Sequence, residues 1–149
     1  MQHKGKPDYE LVGRLVRSLP VPVILSGGLS DAAEVREAFR VTGVEAVMLA
    51  RGALGNPWLF AELVHGRERD PSPKEVLGEL RWLIDRAVEH LGEDRATRYL
   101  RKFYPWYLCR LQLESREAKR LLPTLQTAAT LHEARELLDP IEPAAALAV

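Results

Sequence analysis

Two short stretches carry residue types that can hold a phosphate. "SGGLS" spans Ser26 to Ser30 and "ARGALG" spans Ala50 to Gly55, and each follows a short apolar run. Gly27, Gly28, Gly52 and Gly55 let backbone N–H groups approach phosphate oxygens, and a following helix N-terminus adds partial positive charge. Arg51 can add a charge-assisted contact. The plainer alternative is that these glycines only turn the chain and that Arg51 faces water. Two such loops, about 24 residues apart at the ends of consecutive apolar runs, favour the phosphate reading.

A second cluster lies in "RYLRKFYPWYL", residues 98–108, where Arg98, Arg101 and Lys102 are followed by Tyr104, Trp106 and Tyr107. Basic side chains neutralise phosphates and aromatic rings stack on exposed bases. Between Arg81 and Arg120, ten Lys or Arg stand against six Asp or Glu, a local excess of positive charge in a chain whose 21 basic and 21 acidic residues cancel. The alternative is a solvated basic face over core aromatics. No histidine forms a metal-ligand spacing with Cys109. The four histidines are scattered, and Cys109 reads as a small buried thiol.

The elements that must position these residues differ between the two halves of the 149-residue chain. "DYELVGRLVRSL", 8–19, reads as an amphipathic helix with Leu11, Leu15 and Leu19 beside Val12 and Val16. "VPVILS", 21–26, and "EAVMLA", 45–50, read as buried strands. Between them "DAAEVREAFRVTG", 31–43, is helical, with Asp31 as cap, Glu34 at the capping-box position and Gly43 as stop. Asn56 and Pro57 are expected to start a short helix that buries Trp58, Leu59 and Phe60. After Trp58 only helices are predicted. One starts at "SPKE", 72–75, and runs to Gly92; others cover 93–112, 114–127 and, from the "TLHE" capping box, 130–138. A polar linker is expected near 65–73.

Helix, strand, helix, strand is a parallel α/β unit. Two buried parallel strands cannot stand alone, because their edges and faces need partners. The chain is therefore expected to be a fragment: residues 1–66 from the end of a larger α/β domain, 67–140 a helical domain, and 141–149 a flexible tail. No apolar run reaches the length of a membrane span, and the N-terminus has no signal-peptide core. One cysteine fits a reducing, cytoplasmic setting.

The segment "PVILSGGLSDAAEVREAFRVTGVEAVMLARGALGNPWLF" resembles the C-terminal barrel segment of the tRNA-dihydrouridine synthases, flavin enzymes with a (β/α)8 TIM barrel followed by an all-α helical bundle. The order Thr42-Gly43, then Arg51-Gly52, then Asn56-Pro57-Trp58 matches that family, and "RYLRKFYPWYL" is similar to a helix of its tRNA-binding domain. "HKGKPDYELV" resembles the segment preceding its seventh strand. Two positions depart from the pattern. Ser26-Gly27-Gly28 stand where the family has Asn-Gly-Asp, and Ala50 replaces a glycine.

The resemblance implies reduction of the C5–C6 bond of uridine in tRNA, with FMN as cofactor and NADPH as reductant. It assigns Ser26, Gly27, Gly28, Ala50, Arg51 and Gly52 to the FMN phosphate, and Arg98, Arg101, Lys102 and Tyr107 to tRNA. The family's catalytic cysteine lies on earlier strands, so this chain is expected to hold no catalytic residue and to be inactive alone, with the missing N-terminal barrel half supplied in cis or by another chain. Two other readings stay open from the residues: a different phosphate-binding barrel enzyme, and a non-enzymatic RNA-binding helical module.

Overall fold

A computed structural model of the chain describes residues 7–66 and 70–141. Residues 1–6, the centre of the expected linker at 67–69, and 142–149 of the expected tail lie outside them. The described chain is mostly helical with one two-stranded sheet, in two compact units, Met1–Arg69 and Asp70–Val149.

In the first unit, Asp8 starts helix α1 (Tyr9–Ser18) by accepting a 2.9 Å hydrogen bond from Leu11 N–H. Strand β1 (Ile24–Ser26) follows, then helix α2 (Ala32–Thr42) and strand β2 (Ala46–Met48). The strands pair in parallel, with Ile24 opposite Ala46, Leu25 opposite Val47 and Ser26 opposite Met48. Both are shorter than the apolar runs that carry them. Pro22 has no N–H to give a ladder, which trims the start of the first.

Asp31 caps α2 through a 2.7 Å bond from Glu34 N–H, while the Glu34 carboxylate reaches back to Ser30, accepting from its N–H and Oγ. Gly43 ends the helix at φ 71°, and Thr42 Oγ1 ties the turn by donating to Ala38 O and accepting from Val44 N–H. Leu25, Leu29, Val35, Ala38 and Val44 form the core, with Val12 and Val16 of α1 packed against it.

Two expectations fail here. The strands are not buried on both faces: Leu25 points into the core, but Ile24 is 64% and Met48 57% exposed on the other side. The α1 leucines also face outward, because α1 meets α2 along Val12, Gly13 and Val16, and the neighbouring stripe of Leu11, Leu15 and Leu19 is left 40–45% exposed. After β2, a single 3-10 turn (Arg51–Ala53) leads to helix α3 (Trp58–His65). Asn56 starts α3 with its backbone carbonyl, which accepts from Leu59 N–H, and not with its side chain. Leu59 is buried, Trp58 half-buried and Phe60 half exposed, so only one of the three expected core residues is fully inside.

The second unit opens with the capping box. Ser72 Oγ accepts from Glu75 N–H and the Glu75 carboxylate accepts from Ser72 N–H, starting helix α4 (Pro73–Leu91), which Gly92 ends at φ 73°. The expected helix over 93–112 is broken in two: α5 (Glu93–Leu100) and the short α6 (Tyr104–Leu108). Pro105 lacks the N–H that a continuous helix would need, so the chain tightens through Phe103 N–H to Leu100 O and Trp106 N–H to Phe103 O. Helices α7 (Ser115–Thr127) and α8 (Leu131–Leu138) complete the unit. Thr130 caps α8 by accepting from Glu133 N–H. Leu80, Ile84, Leu100, Tyr104, Leu125, Leu131 and Leu138 are all essentially inaccessible. Among the described residues no helix is long and apolar enough to cross a membrane. Of the expected tail, Ile141 is buried.

Candidate phosphate loops and basic helix face

The parallel register sets Ser26 beside Met48, so the loops after β1 and β2 leave the sheet at the same end. They touch. A Cβ placed on Gly52 would overlap the Leu29 carbonyl oxygen and lie 2.8 Å from Ser30 Cα. Gly52 is thus needed for loop-on-loop packing, a stricter demand than closeness to a ligand. Gly27 and Gly28 take φ of 119° and 65°, backbone that side chains rarely adopt, and both are exposed.

Among the described residues, no backbone hydrogen bond uses the N–H of Gly27 or Gly28. The N-terminus of α2 is different. Asp31 accepts from the Glu34 N–H and the Glu34 carboxylate from the Ser30 N–H, so two carboxylates stand at this helix end and offset the positive helix-end contribution anticipated beside "SGGLS". Around the pair of glycine amides stand the exposed Ser26 on the outer face of β1 and, across the loop contact, the exposed Ala50 and Arg51. Two glycine amides, a hydroxyl and a guanidinium are the donor types and charge that a phosphate monoester such as that of FMN requires. Among the described residues no cluster of His, Cys, Asp or Glu could hold a metal ion.

In the second unit the basic residues separate by role. Arg98 and Lys102 are exposed. Arg101 is half-buried and donates a 2.8 Å hydrogen bond to Ala128 O, joining the end of α5 to the turn before α8. Tyr107 is only 4% exposed, so its ring is not offered to a base; α6 turns it inward with Tyr104 and Leu108. Burial, with the Glu79 charge adding to it, pushes the Tyr107 hydroxyl up to about 12. Burial likewise raises Tyr104, against the pull of Arg101 and Arg135. Cys109 is exposed, contrary to the buried thiol expected, because it follows the inward pair Tyr107 and Leu108; its Sγ donates to Trp106 O.

Sequence reasoning passed over Arg95 and Tyr99. Arg95, Arg98, Tyr99 and Lys102 stand at i, i+3, i+4 and i+7, one face of α5 and its following turn, opposite buried Ala96, Leu100 and Tyr104. That spacing was the available signal. Tyr99 is 41% exposed, and the Lys102 ammonium lies 4.1 Å from its ring centre and 5.1 Å from that of Phe103.

A family profile described as dihydrouridine synthase (Dus) matches residues 1–145. A probable tRNA-dihydrouridine synthase of Mycobacterium tuberculosis is 36% identical over 113 residues, covering 72% of this chain and 29% of that protein. tRNA-dihydrouridine synthase B of Shewanella oneidensis is 30% identical over 132 residues, covering 85% of this chain and 40% of that protein. The chain thus spans between about three-tenths and two-fifths of the length of these curated relatives. A match over nearly the whole chain, with both candidate sites inside it, shows that this chain belongs to the dihydrouridine synthase family.

Proposed function

We propose that this chain supplies the FMN-phosphate end and the tRNA-binding helices of a tRNA-dihydrouridine synthase, an oxidoreductase of tRNA processing. The observation that carries the reading is the contact between the two glycine loops at one end of adjacent parallel strands, with the Gly27 and Gly28 N–H groups in no backbone hydrogen bond among the described residues. In this reading Ser26, Gly27, Gly28, Ala50 and Arg51 bind the phosphate, and Gly52 holds the loops together. The chemistry expected of bound FMN is hydride delivery to the C5–C6 bond of uridine, with NADPH as reductant. The protein's share here is to fix the phosphate tail and so orient the flavin. The family relationship supports tRNA as substrate and the cytoplasm as its setting.

The bare faces of β1 and β2 and the uncovered leucines of α1 support a (β/α)8 barrel whose remaining strands lie outside this segment, with the second unit as its helical tRNA-binding domain. Among the described residues Cys109 is the one cysteine, and it sits away from the glycine loops in sequence and unit. We therefore expect no turnover from residues 1–149 alone. Fluorescence titration of the chain with FMN and with riboflavin tests the reading. Tighter binding of FMN, reversed by inorganic phosphate, supports it. Equal binding of the two, or none, overturns the flavin assignment and leaves an RNA-binding helical module as the better account.

A further inference from the structure

Lys102 is held in an unusual way. Its ammonium lies 4.1 Å from the Tyr99 ring centre and 5.1 Å from the Phe103 ring centre, and the two rings contact each other at 5.0 Å with a 49° tilt. Many other cations of the chain sit against carboxylates: Arg81 on Asp139, Arg86 on Glu89, Arg135 on Asp85, Arg40 on Glu37. Among the described residues Lys102, Arg98 and Arg95 have no carboxylate partner, so this face of α5 keeps its full positive charge. A lysine on an exposed helix face ordinarily samples many rotamers, and fixing it on binding costs entropy. Two aromatic faces limit that freedom beforehand without neutralising the ammonium, because the attraction comes from the ring quadrupole and not from an opposite charge.

We propose that Tyr99 and Phe103 are positioning residues that preset the Lys102 ammonium as a contact for an RNA phosphate. The inference rests on the reading of this face as the tRNA surface. Tyr99 acts through Lys102 and does not itself read a base, so its effect must vanish once Lys102 is gone. Arg95 and Arg98, at i−7 and i−4 from Lys102, extend the same phosphate track along one side of the helix.

The test is a double-mutant cycle on the full chain, measuring affinity for an unmodified tRNA transcript against salt concentration. Lys102→Ala is expected to weaken binding and to lower the salt slope by about one. Tyr99→Leu is expected to weaken binding roughly two- to fivefold with Lys102 present, and to add nothing in the Lys102→Ala background. Tyr99→Phe, which keeps the ring, should bind as the unaltered chain does. Circular dichroism confirms that Tyr99→Leu remains folded, and loss of the ring-current shift on the Lys102 side-chain protons reports the broken contact directly. Equal binding by Tyr99→Leu and the unaltered chain overturns the positioning role alone. A loss that persists without Lys102 also overturns it, since the ring would then touch RNA itself. Absence of salt-dependent binding by the unaltered chain overturns the tRNA reading and this inference together.

Discussion

Gly52 rests directly against the Leu29 carbonyl oxygen, with no space between them for a Cβ. This contact welds the loop after β2 to the loop after β1 and sets the shape of the proposed phosphate site. Gly52→Ala must push two backbone segments apart, because the obstacle is main chain and not the end of a flexible side chain. Urea denaturation should show a loss of about 1–3 kcal/mol. An unchanged midpoint would mean that the loops separate freely.

Arg101 and Arg98 are near neighbours in sequence with different duties. Arg101→Ala deletes the bond to Ala128 O and should destabilise the second unit by about 1–3 kcal/mol, with little change in the salt slope of tRNA binding. Arg98→Ala should leave stability within about 0.5 kcal/mol and lower that slope by about one. Thermal melts and salt-dependent binding on the same two variants separate the roles.

Alkaline pH probes the inward aromatics. Tyrosine in an unfolded chain ionises near pH 10, whereas Tyr107 in the folded chain is raised to about 12 by burial and by Glu79. The folded state therefore keeps its proton longer. The stability linked to Tyr107 is complete below about pH 10 and falls as pH rises toward 12, by about 2 kcal/mol. Tyr107→Phe should flatten this dependence in urea midpoints taken at pH 9 and pH 11.5, after allowance for other groups that titrate there. An identical slope in the variant would place Tyr107 in water.

The uncovered stripe of α1 predicts a surface response. Leu11 and Leu15 are 44% and 40% exposed, so replacing both with Glu should change stability by no more than about 0.5 kcal/mol each. The same pair should reduce binding of a hydrophobic dye to the chain. A large destabilisation would mean that these leucines are core after all.

Local signals were the most legible part of the fold. Ser72 with Glu75, Asp31 with Glu34, and Thr130 with Glu133 each mark a helix start where the structure has one, because capping is chemistry between residues three or four apart. Pro105 was just as visible, yet the helix expected over 93–112 ran through it. The direction in which a stripe faces was harder. Leu11, Leu15 and Leu19 have the spacing of a buried face, but burial depends on which neighbour arrives, and α2 meets α1 along Gly13 instead. Gly52 reads in the sequence as a phosphate-loop glycine, while its closest constraint is a backbone 23 residues away in sequence. The Tyr99 and Lys102 contact needed only a check of three-residue spacing.

The central claim is that the loops after β1 and β2 hold the phosphate of FMN. Phosphorus NMR of FMN with the full chain tests it most directly, because the observed nucleus is the group said to be bound. The account predicts that the phosphate resonance shifts and broadens with the unaltered chain, and that Gly28→Val and Arg51→Ala each diminish the effect. A phosphate resonance that stays where free FMN has it, at protein concentrations that saturate tRNA binding, would contradict the account.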